Sequence, residues 1–232
     1  MIRAGIIAAG EGSRLASSGP VKPLITVAGK PLMHWIVDGL KSAGAAAITV
    51  LTNSRGSAVP PSLTKAFPDV KFDFVTADTA SSFESFRLVS LRLAETENDF
   101  LVSTTDALIR PEDVKKFVVE CRAARADAGL ALTSHVDDEK PLWADVDEVG
   151  LVRGLGENAK TRRFVTCGLY YMTRAAASRL PAAGEHGRLR DYLSVLAAEA
   201  RVAGIILSKS LDVDRPEDLA AAEAFLTTET KR

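Results

Sequence analysis

The chain has 232 residues, of which 47% are hydrophobic, and a formal net charge of −1 at neutral pH. This length and apolar content suffice for one α/β domain with a sizeable core. The near-zero charge, without a basic block, argues against nucleic acid or a membrane surface as a partner. The N-terminal apolar run lacks a signal-peptide context, and no apolar stretch approaches the roughly 20 residues of a membrane span, so we expect a cytoplasmic protein.

The first half of the chain alternates between strand and helix patterns. Strands are predicted over 4–10, 47–53, 70–76 and 128–136, and 99–109 is predicted as a strand running into a loop. Helices are predicted over 30–44, 82–96 and 110–126, the last with Pro111 at its first helical position. Such alternation with short connections is typical of a parallel sheet covered by helices on both faces.

The second half changes character. Residues 143–173 hold short strand-like runs separated by turn residues, which predicts hairpins and a mixed sheet. A helix is predicted over 188–204, strand over 205–214 and a closing helix over 215–229. The two cysteines, Cys121 and Cys167, are far apart and are expected to be buried free thiols rather than zinc ligands or a disulfide.

The segment AAGEGSR (8–14) follows the first predicted strand and is the first candidate binding loop. A dinucleotide-binding loop needs a third glycine where this chain has Leu15, and an acidic residue after the next strand. A P-loop needs a lysine directly after its second glycine, and none follows Gly12. What remains is Arg14 and Lys22 beside free backbone amides, which suits a polyphosphate, although an exposed turn with surface charges fits the loop alone as well.

Five segments, in order, carry a resemblance to a known family. They are AAGEGSRL with VKPLITVAGKPL, TADTASSFESF (76–86), DFLVSTTDALI (99–109), VTCGLYYM (165–172) and LDVDRPEDLAAAE (211–223). The series resembles the nucleotidyltransferase superfamily, which includes sugar-1-phosphate nucleotidylyltransferases, phosphocholine-type cytidylyltransferases and molybdenum cofactor guanylyltransferases. The chain departs from the family pattern at Val21, Thr105 and Arg215, where proline, glycine and threonine are usual.

The resemblance implies a fold and a reaction. The fold would be a three-layer α/β/α domain with a mainly parallel, twisted mixed sheet, as in nucleotide-diphospho-sugar and GT-A-like transferases. The whole chain, 1–232, would be one domain, with a nucleotide-binding half over about 1–110 and an acceptor-binding half over about 111–232. The reaction would be Mg²⁺-dependent transfer of a nucleoside monophosphate from a nucleoside triphosphate to a phosphate monoester, such as a sugar-1-phosphate or phosphocholine, with release of pyrophosphate.

On the nucleotide side, the resemblance assigns catalytic roles to Arg14 and Lys22, which would neutralise charge on the triphosphate. The glycines would expose backbone amides to the phosphates, and the loop after residue 76 would approach the base. The implied nucleotide-binding residues are Ala8, Ala9, Gly10, Gly12, Ser13, Thr79, Ala80 and Ser81.

The candidate metal ligands are aspartates at strand ends. Asp106 follows an apolar strand, so it would lie at the carboxyl edge of the sheet, where open α/β folds bind ligands. Asp212 and Asp214 are two apart on a predicted strand and would share a face; Asp214 could instead cap the last helix. Mg²⁺ prefers one or two carboxylates with phosphate oxygens and water. A phosphate monoester is already ionised at neutral pH, so no general base is required.

On the acceptor side the assignments are Gly168, Glu157 and Arg163, with Arg163 equally compatible with a solvated surface position. Two alternative functions stay open. A GT-A glycosyltransferase usually carries Asp-x-Asp at the mid-sheet strand, where this chain reads Thr104-Thr105-Asp106. A non-catalytic nucleotide-binding homologue would not need both cations and both aspartates. The base, the acceptor and the oligomeric state are not determined by the sequence.

Overall fold

The computed structural model describes residues 2–10, 12, 15, 21–136 and 140–227. Its strands are β1 (Ile2–Ala8), β2 (Thr26–Val27), β3 (Lys30–Pro31), β4 (Ala45–Thr52), β5 (Lys71–Thr76), β6 (Asp99–Thr104), β7 (Ala107–Ile109), β8 (Ala128–Thr133), β9 (Trp143–Val146), β10 (Val152–Leu155), β11 (Phe164–Thr173), β12 (Val202–Ile206) and β13 (Ser210–Asp212). Its helices are α1 (Leu32–Ser42), α2 (Val59–Ala66), α3 (Ser82–Ala94), α4 (Pro111–Ala123), α5 (Arg174–Ala177), α6 (Leu189–Glu199) and α7 (Asp218–Thr227).

Nine of the described strands form one mixed sheet. Its main path runs β10-β9-β11-β6-β1-β4-β5, and β8 pairs with both β11 and β12. The four strands β6, β1, β4 and β5 are mutually parallel, and β12 is parallel to β8, whereas β11 is antiparallel to each of its neighbours. All nine strands except β10 and β11 therefore run in the same direction, which confirms the mainly parallel mixed sheet.

Successive side chains of a strand point to opposite faces of the sheet, so both faces carry apolar residues that must be buried. Helices cover both faces. One apolar core joins α1, α2 and α4 to residues such as Ile6 and Leu101, and the other joins α3, α5 and α6 to residues such as Phe100 and Val102. Helix α3 approaches β1 closely at Gly5, where an added Cβ would lie 2.2 Å from Val89 Cγ1. The three-layer α/β/α architecture is thus confirmed.

In a third apolar cluster, residues from the N-terminal and C-terminal parts of the chain pack against each other. Strand β13 pairs with β7 in a small antiparallel ladder, with Asp212 opposite Ala107. Val213 N then donates to the carbonyl of Asp106 at 3.0 Å. Leu108, Leu211 and Phe225 belong to the buried cluster beneath this ladder. The ladder therefore brings the segment around Asp106 next to the segment that precedes α7.

Several predicted boundaries were wrong. The segment 99–109, predicted as a strand running into a loop, is two strands that break at Thr105 and Asp106. The last helix begins at Asp218 instead of 215. The helix predicted over 188–204 ends at Glu199, because the following residues enter the sheet beside β8 as β12. The strand predicted over 205–214 is divided between β12 and β13. Helix α2 carries prolines near its first turn and no prediction covered it.

The expectation for the two cysteines agrees with the structure. Cys121 and Cys167 are both free and buried, and burial raises the pKa of each thiol. Within the described residues, no helix combines the length and the apolar character that a bilayer crossing requires. Strands from both predicted halves of the chain lie in one sheet, since β6 pairs with β11.

The first residue of β6 forms a polar cluster at the amino end of the strand. Asp99 accepts hydrogen bonds from Arg122 Nε at 2.6 Å and Nη2 at 2.9 Å, and from Tyr171 Oη at 2.9 Å. Burial alone would raise the pKa of Asp99, but these donors and the Arg122 charge outweigh it and lower the pKa. The ionised carboxylate is therefore stabilised by the folded state.

We predict that Asp99→Asn lowers the free energy of unfolding by about 1–2 kcal/mol at neutral pH, since charge-assisted hydrogen bonds are lost. Because the folded-state pKa of Asp99 is depressed, its stabilisation is present above the ordinary pKa of about 3.9 and disappears as the pH falls through the folded value. The gap between wild type and variant should narrow below about pH 4 in urea unfolding measurements.

The matched control is Glu148→Gln, which neutralises an exposed carboxylate and should change stability by less than about 0.5 kcal/mol. An Asp99→Asn deficit that stays constant between neutral and acidic pH would contradict the assignment.

Candidate functional site

A cleft of about 580 Å³ opens at the carboxyl edge of the parallel strands. We call it the donor-side cleft. Lys22 and two of the predicted metal ligands, Asp106 and Asp214, line it. So does every described residue that was predicted to bind the nucleotide: Ala8, Ala9, Gly10, Gly12, Thr79, Ala80 and Ser81. Ser13 and Arg14 lie outside the described residues. The loops after β1, β5 and β6 thus meet where parallel sheets place their binding sites.

A second, smaller cleft of about 300 Å³ adjoins the first. We call it the acceptor-side cleft. Its lining includes Gly168 and Asp212, and it shares Ser82, Thr104, Asp106 and Asp214 with the donor-side cleft. Asp212 lines only the acceptor-side cleft, whereas Asp106 and Asp214 face both. The two aspartates therefore stand at the junction of the two clefts.

Lys22 occupies the centre of this junction. Its ammonium lies 3.3 Å from Asp106 Oδ2 and also contacts Asp214 Oδ1. Only 12% of its side chain is exposed. Burial alone would lower the pKa of Lys22, but the two carboxylates raise it above its usual value. Lys22 is therefore a permanent cation held between the two aspartates.

Asp106 is held as an anion by two side chains. Besides Lys22, the Thr104 hydroxyl donates to its carboxylate. The same hydroxyl oxygen lies 3.3 Å from the carbonyl oxygen of Gly168. Burial alone would raise the pKa of Asp106, but the Lys22 charge and these hydrogen bonds lower it. The carboxylate is consequently ionised and fixed in orientation toward the cleft junction.

Asp214 does not cap the last helix. The carboxylate of Asp218 accepts hydrogen bonds from the backbone N–H groups of Asp214 and Arg215, each at 2.8 Å. Asp214 lies beyond the end of β13, so the expectation that Asp212 and Asp214 share one strand was wrong. The helix begins at Asp218, four residues beyond Asp214, and the Asp214 side chain contacts Lys22.

The glycine loop is held in place by groups that sequence reasoning missed. Asn53, at the end of β4, donates its amide to the carbonyls of Ala9 at 3.1 Å and Gly10 at 3.3 Å. Gly12 has φ +59, and an added Cβ there would lie 2.9 Å from Lys22 Cβ. A left-handed, closely packed residue of this kind favours glycine.

The loop Thr79–Ser81 is ordered by its own side chains. Ser81 caps α3 by accepting from the N–H of Glu84 at 3.1 Å, and Glu84 accepts from the N–H of Ala80 at 2.9 Å, an arrangement related to the capping box. The hydroxyls of Thr79 and Ser85 are 2.6 Å apart. The capping network therefore presents the backbone of this loop to the donor-side cleft.

The predicted acceptor residues are not brought together. Gly168 lines the acceptor-side cleft, whereas Glu157 lines an adjoining cavity of about 530 Å³. Arg163 lies over the ring of Phe164 and lines a different cavity, near Lys116, which shares no described residue with either cleft. Arg163 therefore does not line the cleft that contains Gly168, because the chain at the start of β11 directs it to another surface.

The acceptor-side cleft is lined instead by two arginines that sequence reasoning missed. Arg188 and Arg190 line both the acceptor-side cleft and the adjoining cavity. Arg188 pairs with Asp191 through two hydrogen bonds of 3.2 Å, and Arg190 donates to the carbonyl of Lys140 at 2.7 Å. They flank the first residue of α6, where the helix dipole disfavours cations. Cations at a helix N-terminus were the signal that could have identified them.

The oxygen donors at the junction suit a hard divalent cation. Within the described residues, no group of three or more histidine, cysteine, aspartate or glutamate side chains is arranged to hold a metal. Asp106 and Asp214 could contribute two carboxylates, and phosphate oxygens and water could complete the coordination. One or two carboxylates with substrate phosphates is the pattern that Mg²⁺ adopts in proteins.

Comparison with known proteins agrees with this geometry. Residues 4–198 match the MobA-like NTP transferase domain, which is most of the chain. The chain belongs to this family of MobA-like NTP transferase domains. Among curated relatives, it is 28% identical over 97% of its length to the bifunctional IPC transferase and DIPP synthase of Rubrobacter xylanophilus, and spans 52% of that protein. It is 26% identical over 62% of its length to a CMP-5'-(3-aminopropyl)phosphonate synthase of Streptomyces rubellomurinus, of which it spans 26%.

Solved structures show the same fold as this MobA-like domain. The inositol-1-phosphate CTP transferase from T. maritima superposes with a TM-score of 0.81 at 20% identity, covering 100% of this chain and 97% of that one. The UTP-bound UGPase from Acinetobacter baumannii also gives 0.81, at 18% identity, covering 100% and 95%. These similarities support the nucleotide-diphospho-sugar transferase fold.

Substitution of Gly168 tests how closely its neighbours pack around it. It has φ +66, and an added Cβ would lie 2.3 Å from Thr104 Oγ1 and 2.8 Å from Ala107 Cβ. We predict that Gly168→Ala destabilises the protein by about 1–2 kcal/mol through backbone strain and by a further 1–3 kcal/mol or so through crowding. Chemical unfolding monitored by circular dichroism measures the change.

Gly150→Ala is the matched control, because Gly150 has φ +80 but an added Cβ would meet nothing within 4 Å. It should show the strain alone. Equal losses in the two variants would mean that Thr104 and Ala107 do not enforce glycine at position 168.

Proposed function

We propose that this MobA-like domain transfers a nucleoside monophosphate from a nucleoside triphosphate to a phosphate monoester and releases pyrophosphate. The observation that carries the proposal is the junction of two clefts at Asp106 and Asp214, with Lys22 between them. A transferase needs two substrates to meet at one point, and two separately lined clefts that share the same carboxylates provide that arrangement.

The donor-side cleft suits the triphosphate. The backbone at Gly10 and Gly12 can approach phosphate oxygens without a side chain in the way, and the Lys22 ammonium can neutralise charge on the α-phosphate and the departing pyrophosphate. Arg14 is assigned the same role from its sequence motif. The loop Thr79–Ser81 would face the base with backbone groups.

The acceptor-side cleft suits a small anionic acceptor. Arg188 and Arg190 line it, and guanidinium groups bind phosphate oxygens with paired hydrogen bonds. A phosphate monoester with a second pKa near 6 is largely dianionic at neutral pH. Its oxygen would attack the α-phosphorus and form the new P–O bond, while the bond to the bridging oxygen of the β-phosphate breaks and pyrophosphate leaves with that electron pair. No residue has to remove a proton from the nucleophile.

Asp106 and Asp214 would hold Mg²⁺. When bound, the ion would neutralise phosphate charge and align the reacting groups. Lys22 now lies between these two carboxylates, so binding of the ion there would direct the lysine toward the triphosphate. Asp106 is kept ionised and oriented for this role by Thr104.

We predict pyrophosphate release when the protein is incubated with Mg²⁺, one nucleoside triphosphate and a matching phosphate monoester. CTP is the first donor to test, because two of the compared proteins are named for CTP or CMP, followed by UTP, GTP, ATP and dTTP. Acceptors should include inositol-1-phosphate, sugar-1-phosphates and phosphocholine. Lys22→Met and Asp106→Asn should each reduce the rate by about 100-fold or more, as losses of transition-state electrostatics do.

Lys65→Met, which removes an exposed lysine on α2, should retain the wild-type rate. Tight nucleotide binding without pyrophosphate release from any pair would favour a non-catalytic nucleotide-binding protein. Transfer from a nucleotide sugar without pyrophosphate release would favour a glycosyltransferase.

A second prediction concerns competition between Lys22 and the metal ion. Lys22→Met removes a cation from between two carboxylates. In the absence of nucleotide, the variant should therefore bind Mn²⁺ more tightly than the wild-type protein does. We expect a gain of about tenfold or more, since a like charge a few ångströms away opposes a cation by about 1–4 kcal/mol. Mn²⁺ titration followed by electron paramagnetic resonance measures it, with Lys65→Met as the control. Equal Mn²⁺ affinities in wild type and Lys22→Met would refute the competition.

A further inference from the structure

The donor loop and the two acceptor-side arginines are joined by a hydroxyl. Ser82 is the first residue of α3 and follows directly on the loop Thr79–Ser81. Its Oγ accepts a hydrogen bond from the N–H of Leu189 at 2.9 Å. Leu189 is the first residue of α6 and lies between Arg188 and Arg190. A residue of the nucleotide half therefore holds the start of the helix that carries both arginines.

This contact replaces a missing cap. The first N–H groups of a helix have no partner within the helix and are normally satisfied by a side chain at the preceding residue. At α6 that residue is Arg188, which makes no side-chain capping bond. An arginine has no acceptor atom with which to cap. Ser82 supplies the acceptor from another helix, so the preceding position can be an arginine, which lines the acceptor-side cleft while paired with Asp191.

A second contact reinforces the first. Ser81 Oγ, which already caps α3, also lies 3.3 Å from the carbonyl of His186 and can donate to it. The ring of His186 packs edge-on against Phe83 at 5.1 Å between centroids. Two consecutive serines and the next phenylalanine thus fix the segment 186–189 from the donor side. Ser82 is also among the residues that line both clefts.

From these contacts we infer that Ser82 is a positioning residue that sets Arg188 and Arg190 for the acceptor phosphate, so that acceptor affinity depends on a side chain of the donor loop. The inference rests on the proposed function for the identity of the acceptor, a phosphate monoester.

Inorganic phosphate is the probe that tests the arginines without requiring turnover. We expect Ser82→Ala to weaken phosphate binding by about three- to tenfold, as loss of a helix cap does, and Ser82→Thr to restore it by keeping the hydroxyl. Isothermal titration calorimetry measures the affinities. The part of the phosphate binding that is lost in Arg190→Gln is the part that belongs to the arginine site. Ser178 is an exposed serine at the end of α5, and Ser178→Ala should bind phosphate as wild type does.

Steady-state kinetics with the substrate pair found in the screen supply the second measurement. Ser82→Ala should raise KM for the acceptor by a similar factor and leave KM for the nucleotide unchanged, whereas a general structural defect would change both. The inference is overturned if Ser82→Ala binds phosphate as wild type does, if Ser82→Thr fails to rescue it, if the two KM values rise together, or if Arg190→Gln leaves phosphate binding unaltered. If phosphate binding behaves as expected but no pair reacts, the proposed function fails and the positioning role of Ser82 stands.

Discussion

The ion pair of Lys22 with Asp106 and Asp214 is the interaction around which the rest of the site is arranged. A largely buried ammonium is tolerated only with anionic partners, and here both partners come from distant parts of the chain. Lys22 begins a short helical turn that contains Pro23, Asp106 follows the central strand β6, and Asp214 follows β13. Removing either aspartate would leave the buried Lys22 with one anionic partner in place of two, and removing Lys22 would take a cation from both carboxylates, so the site needs all three segments together.

The two clefts depend on each other through helix ends. The N-termini of α3 and α6 lie beside one another, and each of these helices carries binding groups into a cleft. At α6 the arrangement runs against local preference, because Arg188 and Arg190 oppose the helix dipole. Departures from local preference of this kind concentrate where function requires them. The hydroxyl of Ser82 compensates at the same point by satisfying the N–H of Leu189.

Much of this arrangement could be predicted from the sequence where a residue follows a clear strand. Asp106 was placed at the sheet edge because an apolar strand precedes it, and Lys22 was placed near the glycine loop by spacing and motif; both line the donor-side cleft. Gly168 was also placed in the acceptor half by its motif, and its left-handed φ and close contact with Thr104 give the physical reason for glycine.

The failures have identifiable causes. Arg163 was selected for its charge, but the path of a chain through short hairpins is set by turns that a pattern of polar and apolar residues does not determine. The first three residues of β12 were assigned to the preceding helix because small and apolar residues continue a helical pattern there. Pairing with β8 decides that they are strand. Arg188 and Arg190 were placed in a predicted helix and given no binding role, because only the fold shows which residues lie across the cleft from them.

The ladder between β7 and β13 has a consequence for the order in which the molecule acquires its structure. Asp214 reaches Lys22 only after two strands distant in sequence have paired, and closing such a long loop is unfavourable until the contacts within it have formed. A chain that has completed its central parallel strands would already possess the glycine loop and Asp106, but not the opposing carboxylate. The junction therefore depends on long-range pairing, and a chain that lacks the ladder between β7 and β13 does not hold Asp214 beside Lys22.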